Sequence, residues 1–437
     1  MAVETILVAV LAVLTCAAMI LAVIFKPKVR IFRRAIDTYW IVTSAAAVIL
    51  LVSGLLNPAS FLEGLTTDSP VNPVKILILF LSMTFLSVFL DEIGFFRYLA
   101  SLTVKIAGKN QYLLFTALFA VISVLTLFTS NDVIILTFTP FLCYFAKYAG
   151  INPIPYVFGE FVAANTWSMA FIIGNPTNIY LASSFGVTFL EYLQVMILPT
   201  LAASAAAFLL LVLLFRKQLA EPLQASPDNV TISDKTSVAV GIALLAACTV
   251  LLAVSSYIGL EMWMVALFFA LALAVIILIL NLCRKQKPSE LARTVKRVPW
   301  QFIPFLLSMF AIVLALSGVH LTEAIAGILN TGNPVFTYGL TSFAAANLIN
   351  NIPMSVLYVF ILSFCPAGMM TGAMYAAVIG SNLGAFLTPI GALAGIMWMG
   401  LLKESGVKFS FAKFIRYGVM ISVPTVLAAL FVLNCLV

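Results

Sequence analysis

The sequence predicts an all-α polytopic membrane protein built from two inverted-topology repeats. Of its 437 residues, 63% are hydrophobic and only 9% are charged, whereas soluble domains carry about 25% charged residues. Apolar runs of about 20 residues, the length that crosses a bilayer, recur along the whole chain. Polar breaks interrupt four of these runs at matched places in the two halves. We therefore expect about 11 transmembrane segments plus two re-entrant hairpins, with one hairpin and one broken transmembrane helix in each repeat.

Basic residues indicate which loops face the cytoplasm. They cluster at 26–34, 216–217, 284–297 and 403–416, and the positive-inside rule places all four clusters inside. The first apolar segment, 3–25, has no basic region before it and is long enough to span, so we interpret it as a transmembrane helix rather than a secretory signal. Because the formal charge of +7 resides mainly at helix ends, no nucleic-acid partner is expected.

The two halves of the chain repeat one another in sequence. Segment 80–102 aligns with 305–329, and segment 191–200 aligns with 415–425. The basic loops place matching helices in opposite directions, and such inverted repeats are typical of secondary transporters. We divide the chain into an N-terminal transmembrane helix with its basic loop (1–37), repeat 1 (38–215), a cytoplasmic linker with a connecting helix (216–261) and repeat 2 (262–437).

Four short polar breaks interrupt the apolar runs. They are Ser-Asn-Asp at 130–132, Gly-Asn-Pro-Thr-Asn at 174–178, Asn-Asn-Ile-Pro at 350–353, and Gly-Ser-Asn-Leu-Gly at 380–384 with Thr-Pro-Ile-Gly at 388–391. Unwound backbone at membrane depth is tolerated only where protein or a water-filled cavity surrounds it. Gly and Pro end helices and free backbone groups, and Asn, Ser and Thr add neutral donors and acceptors. The sequence therefore predicts one site near the midplane where the four breaks meet.

The predicted site combines solute contacts with ion-coupling positions. The solute is expected to contact Ser130, Asn131, Thr177, Asn178, Asn350, Asn351, Ser381, Asn382 and Thr388. The coupling ion is expected at Asp132, Asn175, Gly174 and Gly380. Asp132 is the only carboxylate at a predicted hairpin tip, and an acid in mid-membrane indicates a functional role by default.

The remaining polar residues narrow the type of site. Glu160 lies on the helix before the second break, either in the cavity or at the membrane interface. No Lys or Arg is predicted within the cavity. This disfavours a site in which a permanently charged side chain binds a multivalent anion. The six cysteines are scattered, and no two have metal-ligand spacing, so neither a metal nor a cofactor is expected. The chain has no HExxH motif, no paired intramembrane aspartates and no Ser/His pair at a shared depth, so an enzyme is not expected.

The ordered motifs resemble the ion-transporter superfamily and, within it, the arsenite/antimonite efflux permeases. The matching segments are LDEIGFF (90–96), SNDVIILTFTP (130–140), RVPWQ (297–301) with LLSMF (306–310), NNIP (350–353) and VIGSNLGAFLTPIGALAGIMW (378–398). The resemblance implies a homodimer whose transport domain moves by an elevator motion, with a soluble export ATPase as a possible partner. In the related divalent-anion/sodium symporters, Ser-Asn-Thr tips bind substrate and sodium. Here Asp132 replaces the Thr, and Asn350 and Asn351 replace the Ser and Asn of the second tip.

The resulting hypothesis is a secondary transporter in the cell inner (cytoplasmic) membrane. We expect proton-coupled efflux of a small oxyacid such as arsenite or antimonite. Two alternatives share the fold: a sodium-coupled symporter for dicarboxylates or inorganic oxyanions, and a sodium/proton antiporter. The Gly-Asn-Pro-Thr-Asn break resembles the Gly-x-Pro-x-Asn pattern of the branches that contain both. The coupling ion is H⁺ or Na⁺, and membrane lipids surround the protein. A channel is disfavoured, because inverted repeats indicate alternating access.

Overall fold

A computed structural model describes residues 2–26, 28–31, 34–68, 72–108, 110–222, 231–232 and 234–437. These residues form an almost entirely helical protein, and eight of their helices are long and apolar enough to cross a membrane. The predicted all-α membrane class is thereby confirmed. Several other predicted segments are short or interrupted helices. Parts of the predicted basic loop and of the linker, including Arg33 and 223–230, lie outside the described residues.

The first half of the chain contains ten helices among its described residues. They are α1 Ala2–Phe25, α2 Thr38–Val52, α3 Pro58–Thr66, α4 Pro73–Glu92, α5 Phe95–Ala107, α6 Gln111–Phe128, α7 Asn131–Tyr148, α8 Ile154–Trp167, α9 Pro176–Ser184 and α10 Phe189–Leu219. The loop after α1, which the sequence suggested was only a basic connection, pairs as a two-stranded antiparallel hairpin of β1 Lys28–Ile31 and β2 Arg34–Asp37.

The second half follows the same order. Its helices are α11 Lys235–Val254, α12 Met262–Cys283, α13 Ser289–Arg297, α14 Phe302–Gly318, α15 Leu321–Leu329, α16 Pro334–Ile349, α17 Asn351–Leu362, α18 Ala367–Gly384, α19 Leu393–Glu404 and α20 Phe411–Asn434. Their contacts match those of the first half, since α2 packs against α14 as α12 packs against α4, and the long helices α10 and α20 pack together. The inversion of the two halves across the membrane, and the four domain limits, stay predictions.

An Asn-Pro pair starts several helices in both halves. Pro at the first helical position lacks only an N–H that would have no partner there, and the Asn before it accepts from free N–H groups of the first turn. Asn72 accepts from the Val74 N–H at 2.8 Å before α4, and Asn333 accepts from the Val335 N–H at 3.0 Å before α16. The same local signal therefore begins helices in both halves of the chain.

Ion pairs hold α4 at both of its ends. Near its start, Lys75 pairs with Asp68 and with Glu261, the residue before α12, at 2.6 Å. At its end, Arg297 donates to Asp91 at 2.5 Å and to Glu92 at 2.8 Å, and Arg293 also pairs with Glu92. The LDEIGFF and RVPWQ segments, 206 residues apart at this contact, therefore meet in space.

The core lies where the two halves join. Phe158 and Phe161 of α8 pack edge-on against Phe414 of α20, and both also contact Trp398 of α19. All four rings are fully buried. This aromatic cluster sits directly beside the two broken helices, so it fixes their positions relative to α20.

Close helix packing explains Gly380 of α18. A Cβ at this position would lie 2.0 Å from the Ser342 hydroxyl oxygen and 2.4 Å from the Gly339 carbonyl oxygen of α16. Neither contact is sterically possible, and one of them involves backbone that cannot move independently of its helix. Glycine here permits the close approach of α16 and α18.

We predict that Gly380→Ala lowers the melting temperature of the purified protein in detergent, because overpacking costs about 1–3 kcal/mol. Gly400→Ala is the matched control, since a Cβ at Gly400 meets nothing within 4 Å. Equal melting temperatures for the two variants would show that α16 and α18 tolerate a wider separation.

Candidate functional site

The first predicted tip is a true break between two helices. After α6 ends, Thr129 and Ser130 are extended and α7 begins at Asn131. The Ser130 Oγ accepts from the Asp132 N–H at 3.2 Å, so Ser130 caps α7. The Asn131 Nδ2 donates to the Asn165 Oδ1 of α8 at 3.0 Å. The buried Asn131 Oδ1 has no hydrogen-bond partner among the described residues.

Asp132 lies in the first turn of α7 and is partly exposed. No hydrogen bond or ion pair to its carboxylate is present within the described part of the chain. The free N–H groups at the start of α7 favour a negative charge at this position. Asp132 is therefore an acid at a helix N-terminus whose carboxyl group has no hydrogen-bonding or ionic partner among the described residues.

The second break lies between α8 and α9. α8 ends at Trp167, seven residues before the predicted Gly174, and a 3-10 turn at Ile172–Gly174 fills part of the gap. A Cβ at Gly174 would lie 2.3 Å from the Ser168 carbonyl oxygen, so only glycine fits there. The Asn175 Oδ1 accepts from the N–H and the hydroxyl of Thr177, both at 3.1 Å, and caps α9.

The third break is a single strained residue between α16 and α17. Asn350 has a φ of 74°, a backbone conformation that favours glycine. Its Nδ2 donates to the Ile390 carbonyl at 3.1 Å, and the Asn351 N–H donates to the Gly391 carbonyl at 3.0 Å. The buried Asn351 Oδ1 has no partner among the described residues, like that of Asn131.

The prediction of a break at 380–384 is wrong, because these residues form the last turns of α18. The fourth break lies after Gly384, and Asn347 organises it. The Asn347 Oδ1 accepts from the Thr388 N–H at 3.1 Å and from the Thr388 hydroxyl at 2.7 Å. Its Nδ2 donates to the Gly384 carbonyl at 3.0 Å. Sequence reasoning missed Asn347, although its place one turn before the Asn350 tip was the available signal. The buried Ser381 hydroxyl has no partner among the described residues.

Asn382 joins the two broken helices. Its Oδ1 accepts from the Ser168 Oγ at 2.8 Å and from the Asn175 Nδ2 at 3.0 Å. Its Nδ2 donates to the Asn178 Oδ1 at 2.6 Å. The partners lie more than 200 residues from Asn382 in sequence, and all four side chains are buried. The structure thus brings together the breaks of the two halves.

Most of the predicted residues fall into three structural groups. Asn175, Thr177, Asn178 and Asn382 bond to one another. Ser130 caps its own break, Asn350 bonds to the fourth break, and Thr388 bonds to Asn347 of α16. Gly174 and Gly380 permit close packing. Four buried polar atoms near the breaks have no partner among the described residues: Asn131 Oδ1, Thr166 Oγ1, Asn351 Oδ1 and Ser381 Oγ. Within the described residues, no group of His, Cys, Asp and Glu could hold a metal.

Two cavities approach this cluster without including its residues. A cavity of about 430 Å³ borders α7 from Leu136 to Tyr148 and also touches Arg97 and Arg297. It begins one helical turn after Asp132, on the side where the basic loops are predicted to be cytoplasmic. A second cavity, of about 370 Å³, borders α9 at Ile179 and Ser183 and contacts Lys75.

Comparison with known proteins places the chain in a family. The citrate transporter family (CitMHS) matches residues 1–373. The chain belongs to the citrate transporter family. It is also similar to the arsenical pump membrane protein of Escherichia coli (strain K12), at 29% identity over 430 residues, covering 94% of this chain and 95% of that protein. The arsenical pump membrane protein of Yersinia enterocolitica is 28% identical over 367 residues, covering 80% and 84%.

A solved structure supports the fold of this citrate transporter family member. The crystal structure of the Alcanivorax borkumensis YdaH transporter, described as having an unusual topology, matches with a TM-score of 0.59. The match covers 99% of this chain and 98% of that chain at 15% identity. The resemblance drawn from the motifs is confirmed. The protein is a multi-pass membrane transporter, and its relatives are transporters rather than enzymes.

We predict that Asn382→Ala destabilises the folded protein strongly. The change leaves the buried polar groups of Ser168, Asn175 and Asn178 with fewer partners, and each unsatisfied group costs about 1–3 kcal/mol. Thermal unfolding of the purified protein measures the effect. Asn434→Ala is the control, because Asn434 accepts one exposed hydrogen bond, from Asn333. A loss no larger than that of the control would mean that the network contributes little stability.

Proposed function

We propose that this transporter exports arsenite or antimonite through the cytoplasmic membrane in exchange for protons. Its similarity to arsenical pump membrane proteins over nearly the whole chain supports this substrate. The observation that carries the proposal is a pair of unused acceptors. At both tips, a buried amide oxygen, that of Asn131 or of Asn351, accepts no hydrogen bond from the described residues.

Unused acceptors favour a solute that carries hydroxyl donors. Arsenous and antimonous acids are uncharged trihydroxides in neutral water, so they present O–H groups and no net charge. Burial of a neutral solute also avoids the large free-energy cost of burying an ion without a counterion. The site has amides and hydroxyls for such a solute, and no Lys or Arg among the described residues bonds to the site side chains.

Asp132 supplies the coupling in this proposal. Its carboxylate, when ionised, accepts a hydrogen bond from a solute hydroxyl. When the solute leaves, the carboxylate binds a proton, which neutralises it for the return movement. Solute and proton then occupy the site alternately, which is the requirement for an exchanger.

We propose an elevator movement for the transport step. The hydrogen bonds of Asn382 would carry the two broken helices as one unit. The ion pairs at both ends of α4 suit a static scaffold, because they join α4 to the segments around α12 and α13. The homodimer, and the soluble export ATPase implied by the family resemblance, belong to the same proposal.

A sodium-coupled anion symporter is the second candidate. Two observations favour it: the matching family is described as a citrate transporter, and α7, α9, α17 and α19 all begin at the breaks. Helix N-termini carry partial positive charge and attract anions. In this candidate, sodium would balance the anion charge that no basic side chain meets.

We predict that expression in an arsenite-sensitive bacterial host lowers cell arsenic, and that Asp132→Asn abolishes the effect, because the amide cannot exchange a proton. Cell arsenic after arsenite loading is the measurement. Glu63→Gln, an exposed change on α3, is the control for loss of an acid. If the wild-type protein is expressed normally and the arsenic content of the cells does not fall, the export proposal is ruled out.

We also predict that a pH gradient alone drives arsenite into inverted vesicles. Replacement of sodium by choline is expected to leave the rate unchanged, because Asp132 exchanges a proton rather than sodium. Uptake of citrate or an inorganic oxyanion that requires sodium would instead favour the symporter.

A further inference from the structure

A second acid lies inside the protein, away from the predicted site residues. Glu160 occupies the middle of α8, which packs against α6, α7, α10 and α18. The side chain is only 1% exposed. The sequence left open whether Glu160 faced a cavity or the membrane interface, and the structure places it in neither, because it is enclosed by protein.

Thr139 of α7 provides the hydrogen bonds to Glu160. The Thr139 Oγ1 lies 3.0 Å from one carboxyl oxygen of Glu160 and 2.9 Å from the other. Within the described residues, no Lys, Arg or His approaches the carboxyl group within ion-pair distance. Glu160 therefore faces only neutral groups of Thr139, its hydroxyl and its backbone N–H, and has no counterion among the described residues.

The other titratable groups on the surrounding helices do not supply a countercharge. Cys143 of α7 is the neighbour that interacts with Glu160 electrostatically. Four tyrosines bond elsewhere: Tyr156 to Gln111, Tyr112 to the Arg216 carbonyl, Tyr192 to the Met169 carbonyl and Tyr375 to the Glu191 carbonyl. The other titratable groups on these helices are exposed or partly exposed: Asp132, Tyr144, Lys147, Tyr148, Glu191, Arg216 and Lys217. The same holds for those of α19 and α20, which also contact α8: Lys403, Glu404, Lys413, Arg416 and Tyr417.

This geometry fits a protonated carboxyl group. A threonine hydroxyl has one hydrogen to donate and lone pairs to accept. With a carboxylic acid, Thr139 donates to one oxygen and accepts from the acid O–H, which satisfies both groups. With a carboxylate, only the neutral hydroxyl and N–H of Thr139 face the charge, and a buried charge without a counterion is costly.

Glu160 and Thr139 are linked mechanically to the first hairpin tip. α7 and α8 are joined by the Asn131–Asn165 hydrogen bond at the tip and by Thr139–Glu160 further along. Thr139 lies eight residues after Asn131, about 12 Å further along the helix. A charge on Glu160 would therefore act on the same two helices that hold the tip.

A route for a proton lies next to Thr139. The following residue, Pro140, lines the 430 Å³ cavity together with Leu136. Because proline has no N–H, the carbonyl of Leu136 receives no hydrogen bond from position 140. A small displacement of α7 at this point would connect the carboxyl group to the cavity.

We propose that Glu160 is a second proton-carrying site of the transporter, in addition to Asp132. It holds a proton in the conformation described here and releases it as H⁺ to the cavity when α7 moves away from α8, leaving a carboxylate that Thr139 bonds. The next proton from the opposite side restores the acid. The proposal rests on proton coupling of the proposed function, but the protonation of Glu160 can be measured without any solute.

Infrared spectroscopy of the purified full-length protein at neutral pH tests the bound proton. The wild type is expected to show the C=O band of a buried carboxylic acid, which Glu160→Gln lacks and Asp132→Asn retains. The same band in the wild type and in Glu160→Gln would overturn the proposal. This readout holds even if the wild type moves no arsenite, a result that would count against the proposed function instead.

Proteoliposomes test the carrying role. Glu160→Gln keeps the shape and hydrogen bonding of the acid, so it is expected to retain arsenite/arsenite exchange and to lose transport driven by a pH gradient. Thr139→Val is expected to slow net transport, and Thr139→Ser to restore it. A Glu160→Gln variant that exchanges arsenite and still responds fully to a pH gradient would show that Glu160 is only structural. If Glu160→Gln does not fold, the two Thr139 variants test the proposal instead. Equal net transport by Thr139→Val and Thr139→Ser would overturn it.

Discussion

The structure depends on the hydrogen bonds of one side chain, Asn382. Inside a membrane protein, an unwound segment requires partners for every polar group it exposes, because lipid supplies none. Ser168, Asn175 and Asn178 belong to the broken helix of one half, and Asn382 comes from the other. Ser168, Asn178 and Asn382 also bond within their own halves, but the Asn175 Nδ2 and the Asn382 Oδ1 bond only across the two. Each break therefore gains part of its stability from the other half.

The charged side chains lie in a different part of the structure from these neutral hydrogen bonds. The ionic contacts of α4 lie at its two ends, at Lys75 and at Asp91 with Glu92. Between those ends, the neighbouring breaks contain amides, hydroxyls and a single helix-end acid, Asp132. At the end of α4 the Asp91 and Glu92 side chains are only 3% and 13% exposed. Breaking such a buried ion pair is costly because it leaves a charge without a partner, whereas exchange of a neutral hydrogen bond does not. This separation suits a fixed frame around a site that rearranges.

The sequence predicted the breaks well because their cause is local. Gly, Pro and Asn end and start helices through their own backbone chemistry, and α7, α9 and α17 begin within the predicted segments. The partners could not be predicted in the same way. Asn347 lies inside an apolar helix and contacts Thr388 only through the fold. Gly380 looked like an ion-coupling residue, yet its clearest structural role is contact with α16, which depends on a helix pair that no local pattern specifies.

Whether the free polar atoms at the tips are donors or acceptors bears on the substrate more directly than family membership does. A citrate anion presents acceptors and negative charge, so it requires donors and cations. The buried oxygens left without a partner at the tips, those of the Asn131 and Asn351 amides, are instead acceptors. An anion would gain nothing from these two oxygens and would lose its hydration. A solute rich in O–H groups satisfies both at once, and the acid at Asp132 adds a third acceptor that a proton can switch off. On this chemistry, members of one family with similar folds can carry solutes of opposite hydrogen-bonding character by exchanging a few side chains at the breaks.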